Sequence, residues 1–118
     1  MKTQLIIAAV FGFLGVALGA FGAHGLSDSI SQQMLDTYKT GVLYHLIHSV
    51  VLLALALSSY KFIRSFIFIT IGIILFSFSL YIYAVTGITF FAMITPFGGV
   101  SFLIGWILII IEARKITS

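Results

Sequence analysis

The sequence predicts an all-α membrane protein that folds as a four-transmembrane-helix antiparallel bundle with both termini in the cytoplasm. Its 118 residues are 61% hydrophobic and only 8% charged, whereas soluble domains average about 25% charged residues. A mean hydropathy of +1.24 points the same way. A soluble domain of this size cannot hide so much apolar surface from water, so lipid is the expected solvent. The length suits a single membrane domain over residues 1–118.

Four apolar stretches are long enough, or nearly long enough, to cross a bilayer. A span needs about 20 apolar residues to cover about 30 Å of hydrocarbon. The predicted helices cover about residues 4–23, 40–59, 66–85 and 96–111. Pro96 suits the first turn of the fourth helix with Thr95 as its N-cap, which would make residues 87–94 an apolar connector.

The first apolar stretch could instead be a signal peptide, with Lys2 in its basic segment and "AFGA" as a cleavage site. The apolar run continues unbroken past that site, and the three further spans need no secretion signal. We therefore favour a first helix that is retained.

The lysines and arginines indicate the orientation. The side predicted to be cytoplasmic carries Lys2, Lys61, Arg64, Arg114 and Lys115, and the opposite side carries Lys39, Asp28 and Asp36. This bias places both termini in the cytoplasm under the positive-inside rule, in the inner or plasma membrane of a cell. The basic residues form no continuous stripe, so the expected partner is the lipid bilayer and not nucleic acid.

The loop between the first two spans is predicted to contain helix. Ser29 and Gln32 fit a capping box, and Ile30, Met34 and Tyr38 recur every four residues on one face. The pattern predicts a short amphipathic helix on the outer membrane surface, or an extension of helix two.

Helix one carries small residues on one face. In lipid no hydrophobic force joins helices, so close backbone approach must hold them together. The face predicts packing against another helix of the same chain, and its GxxxG pair could also serve a homo-oligomer or a membrane-protein partner. The four predicted packing glycines are Gly12, Gly15, Gly19 and Gly22.

Polar side chains concentrate in the half of the spans that is predicted to face outward. Helix two presents two histidines on one face, and such groups should turn away from lipid. They predict a polar, aromatic-walled pocket that opens to the outer surface between helices one, two and three. The candidate residues are His24, Tyr44, His45, His48, Ser77 and Tyr81.

Several functions are compatible with this pocket. Histidine changes charge near neutral pH, so the pocket could bind or pass a proton, a small polar ligand or a lipid headgroup. The structural alternative is that these side chains only join helices by hydrogen bonds. A metal at His45 and His48 would need His24 or an aspartate to complete it, and bis-histidine haem is less favoured still.

No catalytic motif accompanies the histidines. The chain has no G-x-S-x-G, H-E-x-x-H or P-loop pattern and no cysteine. We therefore predict a non-enzymatic protein without metal or cofactor. The alternative function is a membrane scaffold or accessory subunit that associates through the glycine face of helix one.

Four motifs in order resemble a known family. They are "GAFGAHGL" at 19–26, "YHLIHSVVLLALAL" at 44–57, "LFSFSLYIYAVTG" at 75–87 and "TPFGGVSFLIGW" at 95–106. Together they are similar to the small bacterial inner-membrane proteins of unknown function that include the YgdD- and YwdK-like proteins (domain of unknown function 423). The resemblance implies a four-span membrane protein and supplies no activity. His45 stands where that pattern more often has glutamine, and Phe78 where it has glycine.

Overall fold

The computed structural model describes residues 2–116 and consists of four helices. Each is long and apolar enough, by length and composition, to cross a membrane. The helices are α1 (Lys2–Leu26), α2 (Gln32–Leu57), α3 (Ile63–Thr86) and α4 (Thr89–Arg114). Short connections join them, and the last of these turns at Gly87, where a left-handed backbone (φ +71°) suits glycine. The predicted all-helical class with four spans is confirmed.

Helix α2 begins at Gln32, before the start predicted at residue 40. Ser31 is its N-cap, and the Ser31 hydroxyl accepts a hydrogen bond from the backbone N–H of Met34 (3.2 Å). The Gln32 side chain donates to the Asp36 carboxylate (2.8 Å) and does not reach back to Ser29. The cap therefore lies two residues later than predicted, and the amphipathic part of the loop is the first two turns of α2.

Helix α4 begins at Thr89, so the prediction of a cap at Thr95 and a helix start at Pro96 was wrong. Pro96 lies inside the helix, where it lacks the N–H that would bond the carbonyl four residues earlier. In lipid an irregular apolar connector would leave many backbone groups unpaired, whereas a helix through proline loses one bond. The lower cost explains why residues 89–95 are helical.

The helices pack as two close pairs, α1 with α2 and α3 with α4. Glycines make these contacts, because a side-chain carbon at each would collide with the facing helix. The α1–α2 contacts join Gly22 to Tyr38, Gly19 to Val42 and Gly15 to Leu46. The α3–α4 contacts join Gly72 to Phe102, Gly98 to Phe76 and Gly105 to Ile69.

One α-helical turn in each of two helices widens to π geometry. In α1 this segment is Gly22–Leu26 and contains His24; in α3 it is Ile73–Phe78 and contains Ser77. A π segment shifts the register of the residues that follow it. In α3 the shift falls directly before Ser79 and Tyr81, both of which are buried between helices.

Candidate functional site

Two histidines are buried half-way along α2. His45 has 0% of its surface exposed and His48 has 5%. The sequence predicted these rings in the outer half of helix two, within the hydrocarbon, in a pocket open to the outer surface. Because α2 begins at Gln32, both rings instead lie near its midpoint, enclosed by aromatic side chains.

His45 joins three helices. Its Nε2 lies 2.7 Å from the backbone carbonyl oxygen of Phe11 on α1, and its Nδ1 lies 2.8 Å from the hydroxyl of Tyr81 on α3. A carbonyl can only accept, so Nε2 carries the proton and donates to Phe11. Nδ1 then accepts a hydrogen bond from the Tyr81 hydroxyl, and both ring nitrogens are satisfied.

His48 joins α2 to α4. Its Nε2 lies 3.1 Å from Nε1 of Trp106, and its Nδ1 lies 2.8 Å from the backbone carbonyl oxygen of Tyr44. The indole N–H can only donate, so Nε2 of His48 is the acceptor and Nδ1 carries the proton. The ring also stacks on Phe102, with the two ring centroids 3.8 Å apart. His48 is therefore a neutral imidazole, in the opposite tautomer to His45.

We define the histidine cluster as His45, His48, Tyr81, Phe102 and Trp106. Each imidazole has one nitrogen donating and one accepting, so a metal ion could bind only by displacing a hydrogen bond. Among residues 2–116 no group of three or more His, Cys, Asp and Glu side chains is arranged to hold a metal. The cluster's chemistry is that of neutral hydrogen-bonded rings in an apolar surrounding.

The structure does not bring His24 to the cluster. His24 is exposed, in the π segment at the end of α1. Gly15 of the same helix lies against His45, and His24 follows it by nine residues, or about 13 Å along a helix axis. The predicted meeting of His24 with Tyr44 and His48 is wrong because the histidines of α2 lie level with the middle of α1.

The other predicted pocket residues take different places. Tyr44 is 40% exposed. Its backbone carbonyl accepts a hydrogen bond from His48, and its ring lies nearly parallel to that imidazole, with the ring centroids 6.0 Å apart. Tyr81 is buried and contacts His45. Ser77 is fully buried, and within the described chain its hydroxyl has no hydrogen-bond partner.

Tyr38 lies beside the histidine cluster and contacts it through Tyr81. Tyr38 packs on Tyr81 with the ring centroids 4.9 Å apart, and the Tyr38 hydroxyl donates to the backbone carbonyl oxygen of Leu18 (2.5 Å). Gly22 and Gly41 make room for these rings, since a side-chain carbon on either would lie within 3 Å of a tyrosine carbon. The tyrosines extend the hydrogen-bonded contacts towards the end of the bundle that holds His24.

Sequence reasoning missed the contribution of α4. Trp106 was not among the predicted pocket residues, yet its indole donates to His48. Phe102 lies one turn earlier on the same helix and stacks on the same imidazole. The spacing of four residues between them is a visible signal of a shared helix face, but it does not say which helix that face meets.

Three of the four predicted packing glycines lie against α2. Gly15 faces Leu46 and His45, Gly19 faces Val42, and Gly22 faces Tyr38. Gly12 differs, because nothing lies within 4 Å of where its side-chain carbon would be. It lines an open apolar groove of about 350 Å³ between α1 and α2.

Four apolar helices around a pair of buried histidines define a multi-pass α-helical membrane protein. Residues 18–99 match the family described as "Protein of unknown function (DUF423)", and the chain belongs to this family. The resemblance drawn from the four sequence motifs is thus confirmed.

The relatives are membrane proteins by name. The chain is 43% identical to "UPF0382 membrane protein YwdK" of Bacillus subtilis, over 98% of both chains. It is 41% identical to "UPF0382 inner membrane protein YgdD" of Escherichia coli, over 98% of this chain and 92% of the relative. A Haemophilus influenzae "UPF0382 membrane protein" is 47% identical over 91% of this chain and 90% of the relative. No solved structure matches the chain.

Proposed function

We propose that this chain is a non-enzymatic protein of the cell membrane in which His48 acts as a proton-responsive link between α2 and α4. The observation that carries the proposal is the hydrogen bond from the Trp106 indole to Nε2 of a buried, neutral His48. Ionisable side chains inside a membrane bundle are costly to bury and are associated with function.

The burial of both imidazoles favours a proton over a larger ligand. His45 and His48 are 0% and 5% exposed, so a small molecule could reach either ring only by separating helices. A proton needs no such space. The titratable groups that face the two imidazoles are Tyr44 on α2 and Tyr81 on α3, and the carboxylates Asp28, Asp36 and Glu112 lie towards the helix ends.

His48 responds to a proton differently from His45. The partner of His48 Nε2 is an indole N–H, which has no lone pair in the ring plane to accept a proton donor. A protonated His48 would therefore face Trp106 donor to donor, and the link would break. The partner of His45 Nδ1 is the Tyr81 hydroxyl, which can rotate and accept, so that bond can survive protonation.

Acidification is expected to weaken the α2–α4 contact in a way that depends on Trp106. Lowering the pH from about 8 to about 5 spans the titration of histidine. Over this range we expect the wild-type chain to lose about 1 kcal/mol more unfolding free energy than Trp106→Phe, which has no link to lose. Unfolding in detergent, followed by circular dichroism at both pH values, measures the difference.

Equal pH dependence of the wild-type and Trp106→Phe proteins would contradict the proposed link. A His48→Asn variant supplies a control. Asparagine does not titrate in this range, so this variant should lose the pH dependence of stability that comes from His48.

The bundle is proposed to be antiparallel, with both termini in the cytoplasm. In each helix pair, contact positions rise along one helix as they fall along the other: Gly15 meets Leu46, and Gly22 meets Tyr38. The basic residues support the orientation, since the end that carries the α2–α3 connection and the end of α4 holds Lys61, Arg64, Arg114 and Lys115.

Cysteine labelling tests this orientation, because the chain has no native cysteine. Ser59→Cys lies in the α2–α3 connection and Ser27→Cys in the α1–α2 connection, and both positions are exposed. In intact cells a membrane-impermeant maleimide should label Ser27→Cys and spare Ser59→Cys. The reverse pattern would invert the topology, and labelling of both would contradict the four-span arrangement.

The structure gives little support to a scaffold that works through the glycine face of helix one. Gly15, Gly19 and Gly22 are covered by α2, so a partner would have to displace that helix. We therefore retain the proton-responsive link as the proposed function.

A further inference from the structure

A cavity lies at the basic end of the bundle, between the α2–α3 connection and the end of α4. It measures about 280 Å³ and is lined by Tyr60, Lys61, Phe62, Glu112, Lys115 and Ile116. We call it the loop cavity. It is separate from the histidine cluster and plays no part in the proton-responsive link.

Positive charge exceeds negative charge at this cavity. Glu112 forms an ion pair with Arg64, and the Lys115 ammonium lies 3.7 Å from the same carboxylate oxygen. One carboxylate is thus shared between two cations, while Lys61, in the α2–α3 connection, forms no ion pair with the described residues. The four groups together carry a net charge of about +2 at neutral pH.

The cavity is lined by both polar and apolar side chains, as a site for a lipid headgroup and its acyl chains requires. Tyr60 is 50% exposed and offers a hydroxyl donor beside Lys61, while Phe62 and Ile116 supply apolar surface. Below Lys115 the side of α4 continues with Ile111, which is 40% exposed, so an acyl chain can follow the helix. A tyrosine and lysines at the end of an apolar helix are typical of the headgroup region.

We propose that the loop cavity binds the phosphate diester headgroup of an anionic glycerophospholipid. Lys61 from the α2–α3 connection and Lys115 from the end of α4 contact the phosphate, and the Arg64–Glu112 ion pair joins α3 to α4 beside them. A zwitterionic lipid fits less well, because its cationic headgroup would meet an already positive cavity.

Native mass spectrometry of the full chain in detergent tests this site. The protein is mixed with equal amounts of phosphatidylglycerol and phosphatidylcholine that carry the same acyl chains. We expect preferential retention of phosphatidylglycerol, and about a fivefold loss of that retention in Lys61→Gln and in Lys115→Gln, since each lysine near the surface supplies about that factor. Lys39→Gln removes the same charge at the other end of the bundle and is the matched control.

Three results would overturn the proposal. The first is equal retention of the two lipids, and the second is a loss in Lys39→Gln as large as that in Lys61→Gln, which would indicate a general effect of charge. The third is displacement of phosphatidylglycerol by inorganic phosphate at equal concentration, which would show that the cavity takes a soluble anion. The pH response of the Trp106 link is measured separately, so failure of one proposal leaves the other intact.

Discussion

Gly98→Ala is expected to destabilise the protein by about 3 kcal/mol or more, at the upper end of the usual cost of overpacking. The added carbon would lie 2.2 Å from the backbone nitrogen of Phe76 and 2.6 Å from the backbone carbonyl carbon of Leu75. Backbone atoms cannot rotate away as a side chain can, so α3 and α4 must separate along this contact. Both of these backbone atoms belong to the π segment of α3.

Gly99→Ala provides a control one residue away. Its added carbon would meet only the edge of the Phe76 ring, at 3.9 Å, which is ordinary van der Waals contact. The two variants share the change in helix propensity, because alanine favours a helix over glycine at either site. Titration with a denaturing detergent should therefore show Gly99→Ala at least as stable as the wild type and Gly98→Ala much less stable. Equal stability of the two variants would contradict the close α3–α4 approach.

The helices were predictable because the bilayer sets their length and composition, but their ends were not. The prediction placed the start of α4 at Pro96 through a rule for helices in water, where a freed backbone group can bond solvent. In hydrocarbon that alternative is lost, so the helix runs from Thr89 through the proline. Ser29 fitted the capping-box pattern through Gln32. In the structure Ser31 is the N-cap, and Gln32 bonds Asp36 instead.

The candidate site was predictable as a helix face and not as a set of partners. The spacing of His45 and His48 indicated an inward face, and burial of both rings agrees with this. Which atom contacts each ring nitrogen depends on the position of the neighbouring helices along the axis of α2. The periodicity of the sequence carries no information about this axial position. Trp106 was therefore missed, and His24 was placed too near the cluster.

Replacing His45 is expected to have the second large effect on stability, because this site needs one hydrogen-bond donor and one acceptor. A neutral imidazole donates a hydrogen bond from Nε2–H to the Phe11 carbonyl, and its Nδ1 accepts one from the Tyr81 hydroxyl. A glutamine amide also has one donating and one accepting end.

His45→Gln is therefore expected to change the unfolding free energy by less than about 1 kcal/mol, whereas His45→Leu should cost about 2–3 kcal/mol. Leucine matches the apolar surroundings but leaves the Tyr81 hydroxyl buried without an acceptor, and that orphaned group is the source of the cost. The same unfolding titration in detergent measures both variants.

Tyr81→Phe distinguishes this cause from a general packing defect. In the wild-type background, removal of the hydroxyl leaves His45 Nδ1 without a donor and should destabilise the protein by about 1 kcal/mol. In the His45→Leu background the same change removes the orphaned hydroxyl and should restore stability, so the sign of its effect reverses. If Tyr81→Phe destabilised both backgrounds equally, the hydrogen bond between His45 and Tyr81 would contribute nothing, and the cluster would be held by packing alone.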